Sequence, residues 1–333
     1  MGGAFSSHQL QGSRKLKKRT YSDWTTFGWQ GITFDAPEEW NLGKVTGDAG
    51  TGYLRLDDLE VVRVEVEWRP LKGGLPSGTS GVSHIVDKYV DRLGAQAKKA
   101  EHALHVDRNV HFLEDGALPD KDIETFTWDA DYRAINLAWR CKTCNRIGLV
   151  RVFSKLNEDV SEAARRLMRS LRDHAEEGKR VWAVYGLICT IPEDFRLEEQ
   201  FLRSGHIRLS FKRGKEELHV ERIGPASLVL KDAEPLQNWF EPFFKKALKD
   251  YVCAYTDGEF GGHRGFRIEG SPQSLLKRIL KPTFNRVRRS VYLKGCVWHC
   301  EDSNRIFVVR AASKDRNSTA AEAVAAEVVC HNQ

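Results

Sequence analysis

The order of apolar and polar side chains predicts β-strands near the start of each half of this 333-residue chain. Residues 62–68 alternate strictly, with valines and a tryptophan on one face and charged side chains on the other, as in a half-buried strand. Residues 30–34 and 185–189 alternate in a similar way, and each run leads into a proline turn. Weaker alternation at residues 207–211 and 218–221 predicts two further strands in the second half.

Apolar side chains at helical spacing follow these strands in both halves. The spacing predicts one helix over residues 83–99 and its counterpart over residues 235–251. Two long strands come next, and each half closes with a predicted helix, at residues 160–172 and 319–329. This order predicts an α+β fold in which each half is an antiparallel sheet with two helices packed on it.

A nine-residue segment occurs twice and indicates a tandem duplication. Trp139-Arg-Cys-Lys-Thr-Cys-Asn-Arg-Ile147 returns as Trp298-His-Cys-Glu-Asp-Ser-Asn-Arg-Ile306, at an offset of 159 residues (298 − 139). A period of this length is typical of duplicated domains, since solenoid units run roughly 20 to 50 residues. We therefore expect a flexible basic tail (1–23), a first repeat (24–175), a linker (176–180) and a second repeat (181–333).

Both repeats open with a short strand, a proline turn and an aromatic residue. The two versions are Pro37-Glu-Glu-Trp40 and Pro192-Glu-Asp-Phe195. Together with the element order, this pattern resembles the PsbP-like α/β sandwich. The resemblance implies a fold without catalytic residues, and it implies an interaction module, because such domains mostly act in that way.

The repeated segment is predicted to form a β-hairpin with a four-residue turn in each half. This turn length places Trp139 opposite Gly148, where the indole covers exposed strand backbone. It places Trp298 opposite Phe307, which is a favourable cross-strand aromatic pair. Both tryptophans therefore have a structural explanation.

The end of each turn carries an Asn-Arg pair. Asn145 and Asn304 occupy positions where a turn residue adopts positive φ, which asparagine tolerates. Hairpin geometry has no intrinsic need for arginine, so Arg146 and Arg305 have no such explanation. We expect these two arginines and the two hairpin tryptophans to form a contact surface for a partner.

Cysteines in and near the hairpins raise the question of a metal site. Cys141-x-x-Cys144 has the spacing of a zinc knuckle, in which a tight turn directs two thiolates at one ion. However, Ser303 replaces the second cysteine in the other repeat. Cys296 and Cys300, which are four residues apart on a strand, lie about 13 Å from each other. We expect structural thiols without metal or cofactor. The alternative is zinc bound by Cys141, Cys144, Cys296 and Cys300.

The segment that leads into the second hairpin is basic, whereas its counterpart in the first repeat is acidic. One interpretation is a nucleic-acid or polyanion site, and the other is ion pairing between the two segments. The net charge of +6 is modest and favours ion pairing. The candidate polyanion ligands are Lys277, Arg278, Arg286, Arg288 and Arg289.

Composition narrows the class of protein. An apolar fraction of 41% and a charged fraction of 29% are those of a globular protein, and no apolar run reaches the roughly 20 residues of a membrane span. Seven cysteines, an odd number, suggest free thiols in the cytoplasm. Met1-Gly-Gly-Ala-Phe-Ser6 fits a myristoylation pattern at Gly2, but we expect a solvated tail there.

The sequence lacks the phosphate-binding, nucleophile-elbow and metalloprotease motifs of common enzymes. We therefore expect a non-enzymatic interaction or adaptor protein that binds a protein partner. The alternatives are nucleic-acid or polyanion binding through residues 277–294, and a structural zinc-binding protein.

Overall fold

The computed structural model describes residues 16–71, 81–108, 110–231, 233, 235–273 and 291–331. They form two similar β-rich halves. The first unit comprises residues up to 26 and residues 34–173, and the second comprises residues 27–33 and those from 174 onward.

The elements up to residue 173 are mostly strands. The strands are β1 (Lys17–Lys18), β2 (Trp24–Trp29), β3 (Ile32–Pro37), β4 (Asn41–Gly47), β5 (Gly52–Asp57), β6 (Val62–Pro70), β7 (His105–Asp107), β8 (Lys121–Asp129), β9 (Tyr132–Cys141), β10 (Arg146–Lys155) and β11 (Glu158–Asp159). The helices are α1 (Gly81–Ala100) and α2 (Ser161–Arg169).

The described elements after residue 173 repeat this composition. The strands are β12 (Lys179–Val184), β13 (Leu187–Pro192), β14 (Arg196–Arg203), β15 (His206–Arg213), β16 (Glu216–Ile223), β17 (Tyr251–Phe260), β18 (His263–Pro272), β19 (Tyr292–Cys300) and β20 (Arg305–Ser313). The helices are α3 (Ala226–Leu230), α4 (Leu236–Phe243), α5 (Lys245–Leu248) and α6 (Ala320–Ala325).

Each unit contains one seven-stranded antiparallel sheet, and the two sheets have the same topology. The strand order is β4-β5-β6-β10-β9-β8-β7 in the first unit and β14-β15-β16-β20-β19-β18-β17 in the second. In both sheets, the strand that comes last along the chain (β10 or β20) lies at the centre, next to the strand that comes third (β6 or β16). The order of the strands in the sheet is therefore repeated, as the sequence segment is.

A helix covers one face of the first sheet. Val86 and Tyr89 of α1 pack with Ala138 of β9 in one hydrophobic cluster. Because successive side chains of a strand point to opposite faces, Trp139 and Cys141 point away from α1. The short helix α2 also packs against β9, and the chain that follows it reaches Trp139, as described below.

The second sheet is covered in a corresponding way. Trp239 and Phe240 of α4 pack with Val297 of β19. By the same alternation, Trp298 and Cys300 point to the opposite face. Helix α6 packs against β19 and β20.

The expected α+β sandwich, with two helices on each sheet as in PsbP-like domains, is wrong. The structure is mostly β, and its framework is the pair of seven-stranded antiparallel sheets. The largest error is at residues 235–251, predicted as one helix. Pro242 lies inside α4, where proline removes a backbone donor, and α4 ends one residue later. After the four-residue helix α5, the chain enters β17 at Tyr251.

The glycine-rich residues 258–265 belong to the hairpin of β17 and β18. Phe260 pairs with His263, which leaves a two-residue turn of Gly261 and Gly262. These glycines have φ values of 55° and 81°, the left-handed conformation that such tight turns require. The glycines therefore mark a sharp reversal between two ten-residue strands.

The predicted hairpin geometry is confirmed. Gly148 pairs with Trp139 in the first repeat, and Trp298 pairs with Phe307 in the second. The rings of Trp298 and Phe307 are stacked, with centroids 5.4 Å apart. Asn145 and Asn304, the turn asparagines, have positive φ values of 54° and 52°.

The segment expected to be a flexible tail falls partly within the described residues. Lys17 and Lys18 form β1, which pairs in parallel with β11. Arg19 makes ion pairs with Asp58 and Glu158. Residues 1–15, including the myristoylation candidate Gly2, lie outside the described residues. Within the described part of the chain, no helix has both the length and the apolar character needed to cross a membrane.

Candidate metal centre

Four side chains with metal-binding atoms converge in the second unit. They are His263, Cys300, Cys330 and His331, and their ligand atoms all lie within 4.8 Å of one another. His263 is the first residue of β18 and Cys300 is the last residue of β19. The other two follow α6 along the chain. Three separate parts of the second unit therefore supply one cluster.

Local structure explains why these parts meet. The tight glycine turn before β18 places His263 at the end of the sheet where β19 also ends. Helix α6 buries Ala321, Val324 and Ala325. After this helix, the backbone N–H of Val329 donates to the carbonyl of Ile188 at 3.0 Å. These contacts direct the residues after α6 toward Cys300.

The separations of His331 from the other three ligand atoms are close to those around a single tetrahedral ion. Nδ1 of His331 lies 3.2 Å from Nε2 of His263, 3.4 Å from Sγ of Cys300 and 3.3 Å from Sγ of Cys330. Around zinc, with Zn–N of about 2.1 Å and Zn–S of about 2.3 Å, tetrahedral geometry separates N–N pairs by about 3.4 Å and N–S pairs by about 3.6 Å. The observed separations agree with these values to within about 0.3 Å.

The cluster is largely removed from water. Cys300 is fully buried and Cys330 is 7% exposed. Burial raises the pKa of the Cys330 thiol to about 11, and the neighbouring Cys300 adds to this effect. The thiol of Cys330 is therefore protonated at neutral pH unless a cation replaces the proton.

The buried Trp298 from the repeated segment contributes to this environment. Its indole favours the thiolate form of Cys330 and so acts to lower the pKa of that thiol. Among the described residues, the indole N–H has no acceptor at normal hydrogen-bond distance. A thiolate accepts hydrogen bonds more strongly than a thiol does, so metal binding at Cys330 would improve the pairing of this buried donor.

An acidic side chain lies at the exposed side of the cluster. Oδ2 of Asp302 is 3.7 Å from Nε2 of His263 and 3.7 Å from Nδ1 of His331. Its side chain is 64% exposed and lies on the turn between β19 and β20. The carboxylate therefore adds negative charge next to the two histidines without leaving solvent.

The cysteines named from the sequence lie in different places. Cys300 belongs to the cluster in the second unit. Cys296 lies four residues earlier on β19, outside that cluster, where burial raises the pKa of its thiol to about 12. Cys141 and Cys144 lie in the first unit, at the end of β9 and in the following turn, and are treated further below.

The residues named for partner contact take part in the packing of each unit. Trp139 and Trp298 are buried. The guanidinium of Arg146 donates hydrogen bonds to the backbone carbonyls of Asp173 and Ala49. In the second unit, Arg305 donates to the carbonyl of the preceding residue at 3.2 Å. The partner-binding role of these residues stays a prediction.

The candidate polyanion ligands lie outside the described residues. They are Lys277, Arg278, Arg286, Arg288 and Arg289. Binding of a polyanion through them stays a prediction, and a steep loss of affinity between low and moderate salt would be its signature.

Three of the four candidate ligands in the second unit were not anticipated from the sequence. His263 follows a glycine pair, and Cys330 and His331 lie 30 and 31 residues after Cys300. One signal was available in the repeat itself. The buried residues Ala164, Leu167 and Met168 of α2 match Ala321, Val324 and Ala325 of α6 at an offset of 157 residues (321 − 164).

The same offset aligns Asp173-His174 with Cys330-His331. Comparison of the two repeats after their last helices would therefore have drawn attention to both pairs. No known protein-family model and no curated protein matches this chain. Its function must accordingly be inferred from its fold and from the geometry of this centre.

Proposed function

We propose that this is a non-enzymatic zinc-binding protein, with one structural zinc ion held in the second unit by His263, Cys300, Cys330 and His331. The observation that carries the proposal is the convergence of two sulfur and two nitrogen ligand atoms within 4.8 Å. A Cys2His2 set is among the common ligand sets of structural zinc sites.

The donor atoms favour zinc over other abundant divalent ions. Magnesium and calcium prefer oxygen ligands, whereas thiolate and imidazole together suit zinc. Four protein donors would fill a tetrahedral shell, so no coordination position would remain for a substrate or an activated water. This supports a structural role for the ion.

The ion would hold together parts of the second unit that are distant in sequence. His263 and His331 are 68 residues apart in the chain. A cross-link across a long loop lowers the entropy of the unfolded chain more than a cross-link across a short one. Zinc would therefore stabilise the attachment of the segment after α6 to the ends of β18 and β19.

Thiolate ligands suit a reducing compartment, and we include a cytoplasmic location in the proposal. We also include a partner protein. The ion would fix Cys300, the residue that immediately precedes the β19–β20 turn, and Arg305 follows that turn. A fixed turn presents such a contact residue at a lower entropic cost on binding.

The test is elemental analysis of the full chain purified in the presence of a reductant. We expect Cys330→Ala to contain one zinc ion fewer per chain than the wild type. Cys296→Ala is the matched control, because it removes a buried cysteine of the same unit that lies outside the cluster. The control should keep the wild-type zinc content.

Cobalt substitution supplies a second measurement. Co²⁺ in the wild type should show the strong visible absorption of a tetrahedral thiolate site, and Cys330→Ala should lose the part due to this centre. Equal metal content and equal cobalt spectra in the wild type and Cys330→Ala would contradict the proposal.

A further inference from the structure

The first unit carries metal-binding side chains at corresponding positions. Cys141 ends β9 as Cys300 ends β19, and the offset of 157 residues aligns Asp173 with Cys330. Cys144, in the turn after β9, adds a third donor. The ligand atoms of these three residues lie within 4.8 Å of one another.

The tryptophan of the repeated segment plays the same part in both repeats. Nε1 of Trp139 donates to Oδ2 of Asp173 at 3.0 Å. In the second unit, the indole of Trp298 acts on the thiol of Cys330, the residue aligned with Asp173, although its N–H makes no hydrogen bond of normal length to the described residues. The indole thus orients a donor residue that comes from the chain after the last helix of the repeat.

We propose that the first unit binds a second zinc ion through Cys141, Cys144 and Asp173. Sγ of Cys144 lies 3.8 Å from Oδ2 of Asp173. The backbone N–H of Cys144 donates to Sγ of Cys141 at 3.5 Å, so the turn holds the two cysteines next to each other. The residue after Asp173 is His174, as His331 follows Cys330, so the sequence provides the same fourth donor type.

Lys121 explains how three anionic ligands fit one buried centre. Lys121 pairs with Cys141 across β8 and β9, and its fully buried ammonium lies 3.1 Å from Oδ1 of Asp173. Burial disfavours the charge of Lys121, but hydrogen bonds and charges from Asp120 and Asp173 outweigh this and raise its pKa. Zn²⁺ and Lys121 together would carry three positive charges, which match two thiolates and one carboxylate.

The second unit balances the charge of the ion with a different set of residues. The register that pairs Gly265 with Trp298, continued by two residues, places His263 level with Cys300. His263 thus occupies the position of Lys121, and both residues begin their strands. There, two thiolates alone would balance the ion. The residue pairs Lys121 with Asp173 and His263 with Cys330 therefore occupy the same place in the fold with different charges.

Proton release keeps the first centre neutral before and after binding. One Zn²⁺ would enter and the thiols of Cys141 and Cys144 would release two protons. The pair of Lys121 and Asp173 would keep its charges throughout.

The competing explanation is that the Lys121 ammonium replaces the ion in the first repeat. Cys144→Ser separates the two explanations. The second repeat has Ser303 at this turn position, so a serine is compatible with the hairpin. Cys253→Ser is the matched control, because Cys253 is a partly exposed thiol outside both groups of ligands.

We expect two zinc ions per wild-type chain, one in Cys144→Ser and one in Cys330→Ala. The double variant should contain none, and Cys253→Ser should contain two. An unchanged zinc content in Cys144→Ser would overturn this inference and leave the centre of the second unit intact. An unchanged content in Cys330→Ala would overturn the proposed function instead, so the two failures are distinguishable.

Discussion

Glu221 is a buried carboxylate in the second sheet, and its environment is dominated by Arg310 and His206. It lies 2.5 Å from the guanidinium of Arg310 and 2.7 Å from Nε2 of His206. Burial alone would raise its pKa, but the hydrogen bond from His206 and the charge of Arg310 lower the pKa to about 2, from an ordinary value of 4.5. The ionised form is therefore built into the folded state.

We predict that Glu221→Gln lowers the free energy of unfolding by about 3–5 kcal/mol at pH 7, because Arg310 would remain buried without its counter-charge. A carboxylate with a lowered pKa contributes stability that is complete above pH 4.5 and is lost as the pH falls toward 2. The variant should lack this part of the acid dependence. Urea unfolding at several pH values measures both effects.

Glu199→Gln is the control for this prediction. Glu199 also pairs with an arginine, Arg208 at 2.9 Å, but its side chain is 61% exposed. Exposed pairs contribute little to stability because water and salt screen them. A loss in Glu221→Gln no larger than that in the control would contradict the role given to the buried carboxylate.

The candidate metal ligands show why sequence patterns at the residue scale identified only part of the site. Cys141 and Cys144 are close in sequence, so their spacing alone suggested zinc. His263 and Cys300 come together only through the pairing of β18 with β19. Such a contact depends on strand register, which a search for local ligand spacing does not include.

At the scale of elements, the repeated hairpins were predictable because a turn of defined length joins two strands whose residues are mostly apolar and buried. The length of the turn fixes the register of the two strands. β17 lacks this signal, because it lies at the edge of its sheet and most of its residues are partly or fully exposed. Its first residue, Tyr251, was therefore assigned to the end of a helix.

The close packing of Trp139 on β10 gives a prediction at the same scale. A Cβ atom at Gly148 would lie 2.2 Å from the indole ring of Trp139 and 2.5 Å from the carbonyl oxygen of Glu67. Both neighbours belong to the sheet core and cannot move aside easily. We predict that Gly148→Ala lowers the free energy of unfolding by about 1–3 kcal/mol, as measured by urea unfolding.

Gly94→Ala is the matched comparison. Gly94 lies within α1, and a Cβ atom there would have no other atom within 4 Å. Alanine at such a position stabilises a helix by roughly 0.5–1 kcal/mol relative to glycine. Opposite signs for the two glycine-to-alanine changes are expected, and destabilisation by both would show that the contact with Trp139 is not the cause.

At the scale of the whole molecule, bound zinc should couple stability to metal supply. An ion that binds only the folded chain adds about 2.7 kcal/mol when its free concentration is 100 times Kd. We predict that a strong chelator lowers the Tm of the wild type by about 5–10 °C, measured by calorimetry. Excess zinc should restore the original Tm.

The double variant Cys144→Ser/Cys330→Ala serves as the control for chelation. Its Tm should already be low and should respond neither to chelator nor to added zinc. A wild-type Tm that is equally insensitive would mean that metal does not stabilise the folded chain. A response that persists in the double variant would place the stabilising metal elsewhere.

The position of the last ligands along the chain has a consequence for biosynthesis. A ribosome makes His263 and Cys300 well before Cys330 and His331, which are separated from the first ligand by 67 and 68 residues (330 − 263 and 331 − 263). The zinc centre of the second unit would therefore remain incomplete while most of that unit has already been synthesised. During this interval the second unit would lack the stability that a fully coordinated ion supplies.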